Sequence, residues 1–333
     1  MKFRIFIAVA ISALFAFGTA FAQQPIVIKF SHVVALDTPK GKGAEQFKKL
    51  AEERSKGRVK VEVYPNSQLY KDGEEMEALQ LGSVQMLAPS VAKFGPLGVR
   101  EFEVFDLPYI FDSYGDLHKV TEGAVGKMLF AKLESKGITG LAYWDNGFKD
   151  FSANKALKVP ADVKGLKLRI QSSNVLEAEI RALGGIPQKM AFSEVYQGLQ
   201  TGVVDGTENP PSNEYTQKMH EVQKYTTHSE HGYVGYAVIA NKRFWDGLPA
   251  DVRAGLEKAM AEATAFTNDI AQKENDDALE AIKASGKSQL LPLTAEQKAA
   301  WRKALEPVYT EMAGRLGKDV IAEFEKEVKG VGQ

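Results

Sequence analysis

The chain has 333 residues, of which 42 are Lys or Arg, 43 are Asp or Glu and none is Cys. Without cysteine there is neither a disulfide framework nor a thiol nucleophile. Nearly balanced charge leaves no basic footprint for nucleic acid or an anionic membrane, so neither is expected as a partner.

The first 22 residues read as a leader. Lys2 and Arg4 precede an apolar run from Ile5 to Phe17, and Ala20-Phe21-Ala22 offers small residues at both positions a signal peptidase reads before Gln23. The run is too short for a membrane span, so a cleaved signal peptide over residues 1–22 and an exported, soluble mature chain are expected. Cleavage removes two of the 42 cations, leaving 40 against 43 acids, a net charge of −3. The remaining 311 or so residues exceed what one core readily serves, which predicts two domains.

From Gln23 onward strands and helices alternate. Ile26 to Phe30 reads as a buried strand ending at Ser31-His32, and Thr38 caps a helix that has Pro39 at its first position and runs to Gly57. Val59, Val61 and Val63 form a second strand stopped by Pro65. Asp72 starts a helix over Glu74 to Leu81, and Val84 to Ala88 is a third strand delivering Ser90 to its carboxyl end. This order predicts an α/β fold with a parallel sheet under helices.

Lys93 to Phe111 reads as loop, Asp116 to Lys136 as one long helix, and Thr139 to Trp144 as a strand. At Asp145 to Lys149 the chain is expected to leave the first domain, and a long strand from Thr226 to Ala240 brings it back. Two such crossings make a hinge suited to closing one domain on the other. Pro249 to Ala284 predicts a helix long enough to lie across both domains. Thr294-Ala-Glu-Gln297 is a capping box that opens another helix, and Asp319 to Val328 gives the last one.

The most informative stretch is Gly165 to Pro211. Leu166, Leu168 and Ile170 alternate with Lys167, Arg169 and Gln171, the pattern of a half-buried strand with Arg169 near the end of its polar face. Ser173 caps a helix that stops at Gly184-Gly185, and a second short helix runs from Phe192 to Thr201 and ends at Gly202. Asp205-Gly206 turns the chain, and Pro210 holds Asn209 extended. Ligands of α/β sheets collect at the carboxyl ends of strands, so Arg169 and Asn209 face one crevice.

Enzyme signatures are missing. There is no G-x-S-x-G and no H-E-x-x-H, and Gly286-Lys287-Ser288 has Ala281 where a phosphate loop needs its first Gly. His228, Glu230 and His231 could suggest a metal, but three-residue spacing on a strand places the two rings on opposite faces. Neither cofactor nor metal is expected.

The motifs Gly165-Leu-Lys-Leu-Arg169, Met190-Ala-Phe-Ser-Glu-Val-Tyr-Gln-Gly-Leu-Gln-Thr-Gly202 and Asp205-Gly-Thr-Glu-Asn-Pro210, with Trp144-Asp-Asn-Gly-Phe-Lys149 upstream, together resemble a known family. It is that of the periplasmic solute-binding subunits of tripartite ATP-independent periplasmic (TRAP) transporters, the DctP-type C4-dicarboxylate group especially. The resemblance implies a two-lobed periplasmic-binding-protein fold with a hinge and a long helix bracing both lobes. Lobe I would be 23–146 with about 235–274, and lobe II 147–234 with about 275–333.

It further implies that Arg169 holds the ligand carboxylate, Asn209 supports it and Phe192 lines the pocket. Lys149 stands where the family often has a second cation, though as a point charge rather than a fork. From the first lobe, His32, Ser90 and Lys93 point to the same cleft. The far end of a diacid needs a counter-charge, for which Lys93 is the first choice, with His32 and Lys40 behind it. Tyr236, on the returning strand, either donates from its hydroxyl or packs at the hinge. The implied protein delivers a small organic acid such as succinate, malate or fumarate to membrane subunits driven by an ion gradient, and a monomer is the default expectation. An exported enzyme using His32 as base, or a binding protein feeding a sensor, is the alternative.

Overall fold

The computed structural model describes residues 24–329, so the expected signal peptide lies outside the described residues. The N-terminal alternation folds as read. Strand β1 is Ile26–Ser31, and helix α1 is Pro39–Arg54, where the Thr38 hydroxyl accepts from the Gly41 N–H at 3.1 Å. Strand β2 is Val59–Tyr64, helix α2 is Glu75–Gln80, and β3 shrinks to Met86–Leu87. One reason is that the Ala88 carbonyl accepts from the Lys40 ammonium, 2.9 Å away, instead of from a neighbouring strand.

The long helix expected over Asp116 to Lys136 is two, α3 (Tyr114–Glu122) and α4 (Ala124–Glu134). Gly123 breaks it with an extended backbone at which a Cβ would sit 2.4 Å from the Lys119 carbonyl. The N–H of Ala124 thereby exposed donates to the Glu327 carboxylate at 2.7 Å. Between β3 and α3 the expected loop carries two 3-10 turns, Val91–Lys93 and Arg100–Asp106.

Then follow β4 (Ile138–Ala153), β5 (Lys167–Ile170), α5 (Asn174–Ala182), β6 (Ile186–Lys189), α6 (Val195–Thr201) and β7 (Gly206–Asn209). The chain ends with α7 (Pro211–Thr216), β8 (Tyr225–Asn241), α8 (Lys242–Asp246), α9 (Ala250–Ser285), β9 (Gln289–Pro292), α10 (Ala295–Leu316) and α11 (Lys318–Lys329). Strands β6 and β9 have no alternation to announce them. Pairing recruits them, β6 beside β5 and β9 beside β8. As an edge strand β6 tolerates Pro187.

The nine strands of the described residues form one sheet in the order β2-β1-β3-β8-β4-β7-β5-β6, with β9 on β8. Strands β1 to β3 are mutually parallel, as are β5 to β7. The antiparallel pair β4 and β8 joins these halves, in register from Ile138 opposite Asn241 to Ala153 opposite Tyr225. Each long strand therefore serves both halves, which is what a two-strand hinge requires. Bulges between Asp145 and Gly147 and between Lys149 and Phe151 bend the ribbon where it crosses.

Helix α9 has 36 residues, roughly 54 Å at the standard rise, and packs on α1, β4 and α7. One core, with Phe30, Phe47, Val61 and Trp144, lies among β1, β2, α1 and α9. A larger one runs from Leu129 through Phe105 to Ile180, Trp301 and Phe324, taking in elements from both halves of the sheet. Among the described residues no helix is long and apolar enough to cross a membrane.

One buried acid gives the fold a pH signature. Glu214 on α7 is buried and accepts from the Thr226 hydroxyl at 2.6 Å. Burial outweighs that hydrogen bond and lifts its pKa to about 8. Folded Glu214 thus keeps its proton where the unfolded chain has lost it, so its contribution to stability declines as pH rises from about 4.5 toward 8. Calorimetry should find a larger fall in melting temperature between pH 5 and 8 for wild type than for Glu214→Gln, roughly 2 °C for each ~1 kcal/mol involved. Equal slopes in the two proteins would refute the assignment.

Candidate functional site

Strand β5 sets one wall of a cleft. Leu168 and Ile170 are fully buried in the core, so Arg169 between them turns to the opposite face. That face is not solvent: Arg169 is only 1% exposed. Its Nε donates to the Met190 carbonyl at 3.0 Å, its guanidinium carbon lies 5.7 Å from the centroid of the Phe192 ring, and its Nη1 makes no hydrogen bond. Burial lowers the Arg169 pKa, against the attraction of Asp72 and Glu208. Asn209, at the carboxyl end of β7, reaches the same pocket, its amide held by Thr207 Oγ1 at 3.2 Å.

The other wall comes from the loops after β1, β2 and β3. Lys93 contacts Asp72 and lies 2.6 Å from Glu75 Oε1. Although burial opposes it, these two acids push the Lys93 pKa above the usual lysine range. Burial would raise the Asp72 carboxyl, but Lys93, Arg169 and the Phe192 N–H together draw it down to about 2. Asp72 accepts from that N–H at 2.5 Å and stands 4.0 Å from Arg169 Nη2, so it bridges the two walls.

Lys40 differs from Lys93. Its ammonium donates to the Ala88 carbonyl and sits 3.7 Å over the Tyr236 ring, with no carboxylate oxygen of a described residue within ion-pair distance. Burial first, then the like charge of Lys93, lower its pKa to about 7 against the pull of Glu75 and Asp72.

These side chains line two adjoining spaces. An inner pocket of about 20 Å³ is lined by Lys40, Ser90, Arg169, Asn209, Asn213 and Tyr236 at its polar places, and by Val33, Val34, Phe192 and Val234 between them. An outer cavity of about 330 Å³ shares Asp72, Lys93, Arg169 and Gln171 with it and opens past Met76, Leu97 and Met190. Besides Arg169 Nη1, two buried atoms lining the inner pocket lack partners: Gln171 Oε1 and Asn213 Oδ1. The inner pocket, at about 20 Å³, has room for about one water.

Of the residues expected at the site, Arg169, Asn209, Phe192, Ser90, Lys93 and Tyr236 converge on this pocket. Lys149 does not. It is fully buried away from both spaces, 2.5 Å from Glu208 Oε2, because successive bulges in β4 change the face its residues address. His32 is buried but lines neither space, and both ring nitrogens lack partners. Burial and the charge of Lys40 bring its pKa to about 3, leaving a neutral ring unsuited to acid-base work near pH 7. Lys93 faces the cleft already paired with two acids, whereas Lys40 lines the inner pocket without one.

Asp72 does not cap α2. The helix begins at Glu75, and no side chain caps it. The Asp72-Gly73 pair after β2, read as a helix start, was the available sign of a turn carrying a carboxylate into the cleft. Gln171 and Asn213 gave no sign, since an amide beside a motif looks like any surface residue.

His231 is also not solvated. It is fully buried, its Nε2 3.0 Å from Glu208 and 3.4 Å from Glu179, and those three ligand atoms lie within 4.8 Å of one another. This is metal-like spacing, but the Lys149 ammonium already stands against the Glu208 carboxylate. His228, half-buried on β8, pairs with Asp150 at 2.9 Å.

Two lobes joined by a two-strand hinge, with buried cations lining the pocket between them, have the architecture of a binding protein for a small anion. The chain belongs to the bacterial extracellular solute-binding proteins, family 7, whose family profile matches residues 30–315. It is 70% identical over 299 residues to the C4-dicarboxylate-binding periplasmic protein DctP of Rhodobacter capsulatus, covering 90% of each chain. A TRAP periplasmic solute-binding protein from Shewanella oneidensis, solved with bound succinate, superposes with a TM-score of 0.89 at 43% identity, over 92% of this chain and all of that one. One from Pseudomonas aeruginosa, solved with L-malate, gives 0.84 at 46% identity, over 86% of this chain and all of that one. The two-lobed α/β architecture expected from the sequence is the one these structures share.

Proposed function

We propose that this protein binds a C4-dicarboxylate such as succinate, malate or fumarate between its lobes in the periplasm and presents it to the membrane subunits of a TRAP transporter. The observation that carries this reading is a pocket walled by two buried cations. Arg169 has an unused Nη1, Lys40 has no acid partner, and Val34, Phe192 and Val234 give the same pocket an apolar lining. Arg169 takes one carboxylate as a planar fork, with Asn209 beside it. Lys40, with Ser90, Asn213 and the Tyr236 hydroxyl near it, takes the other, and the apolar lining suits a short carbon chain.

The ligand binds best when both walls reach it, so binding shifts the lobes toward closure. A signal peptide ending at Ala22 would supply export. The names and ligands of the relatives support the choice of acid. In a melting screen, a C4 diacid at 100 times its dissociation constant should stabilise by about 2.7 kcal/mol. The half-amide of succinate should do far less. Equal stabilisation by the half-amide, or none by any C4 diacid, would overturn the reading.

A further inference from the structure

A chain of buried polar groups leads from the ligand pocket to the long helix. Tyr236 lines the pocket under Lys40, and its hydroxyl accepts from Asn146 Nδ2 at 2.7 Å. Asn146 Oδ1 accepts from the Ser212 hydroxyl at 2.8 Å. The Asn146 backbone carbonyl accepts from Asn275 Nδ2 at 2.8 Å, and Asn275 Oδ1 accepts from the Ser212 N–H at 3.0 Å. All four side chains are buried.

Their positions in the fold make this more than packing. Asn146 sits in the bulge between Asp145 and Gly147, where β4 crosses between the halves of the sheet. Ser212 belongs to α7, which follows β7 directly, and its neighbour Asn213 lines the pocket. Asn275 belongs to α9, the helix that contacts both α1 and α7. Pivot, second lobe, brace and pocket therefore meet in one closed circuit. Gly147 makes room for it, since a Cβ there would lie 2.6 Å from the Asn275 amide.

We propose that Asn275, Ser212 and Asn146 form a hinge clasp, and that Asn275 and Ser212 are positioning residues for ligand binding although neither lines the pocket. With the clasp formed, the pivot, α7 and Tyr236 share one geometry, the one in which Asn213 and Tyr236 face the ligand. If the lobes part at the bulge, Ser212 and Asn275 draw away from Asn146 together, and these buried groups need new partners. The clasp thus favours the closed form, and the ligand is retained for longer. This deepens the binding reading given above and rests on it.

The test compares wild type with Ser212→Ala, Asn275→Ala and Asn268→Ala. Asn268 lies on the same helix and accepts from the Asp145 N–H at 2.9 Å, outside the circuit. Stopped-flow and small-angle scattering, with succinate as probe, should show Ser212→Ala and Asn275→Ala weakened by about tenfold, within the range of site-to-site couplings. The loss should lie in faster dissociation, with the saturated protein more open than wild type. Asn268→Ala should lose melting temperature but keep its affinity and closure.

Wild-type dissociation rates and closure in both clasp variants, or the same loss in Asn268→Ala, would overturn the proposal. If Asn275→Ala fails to fold, Ser212→Ala decides. If wild type does not bind succinate, the choice of acid falls, and the same measurements with the tightest acid from the melting screen judge the clasp separately.

Discussion

Arg169→Ala should lose about 3–5 kcal/mol of affinity for the cognate acid, because a carboxylate then enters a buried pocket without its partner. That corresponds to a dissociation constant raised between a hundredfold and several thousandfold. The fold should survive the change. Asp72 keeps Lys93 and the Phe192 N–H, so removing Arg169 strands no buried acid. Arg169→Lys should fall between the two, keeping charge but losing the fork. Titration calorimetry reads both variants, and wild-type affinity in Arg169→Ala would remove the basis of the proposed function.

Lys40 should make binding depend on pH. Its pKa of about 7 in the free protein reflects burial and the repulsion of Lys93. A ligand carboxylate beside it adds attraction and raises that pKa, so the bound form holds more protons than the free form above pH 7. Affinity should therefore fall as pH climbs from about 7 toward 9, by at most about tenfold per unit. Three other ionisable groups of the lining stay out of that window. Lys93 lies above it, Tyr236 is raised by burial to about 12, and Asp72 is held near 2.

Calorimetry at pH 8 in two buffers of different ionisation enthalpy should show proton uptake on binding. Lys40→Met should abolish both uptake and slope, and should cost about 2–3 kcal/mol as a charge-assisted contact is lost. A dissociation constant constant from pH 7 to 9 would show that Lys40 does not meet the ligand.

The local features of this chain were legible because their causes are local. Ser173 accepts from the Leu176 N–H, Thr294 and Gln297 close a capping box, and Gly202 ends α6 in the left-handed region, all set by residues within four positions. The strand pattern around Arg169 was equally plain, because apolar alternation records which face is buried. What lies against the other face it does not record. The same pattern fits an exposed arginine and one sealed between lobes.

The failures share that origin. The break at Gly123 depends on Glu327, and β6 exists because β5 offers it a partner. Lys149 was expected in the cleft, and bulges that a period of two cannot express placed it beside Glu208 instead. By itself, then, the order of residues determined the α/β alternation, the long brace and the arginine at the end of β5. Tertiary structure decided which cations are left for a ligand. Lys93 is neutralised by Asp72 and Glu75 and Lys40 is not, and a charge buried in low dielectric is governed by whatever the fold sets beside it, however distant in the chain.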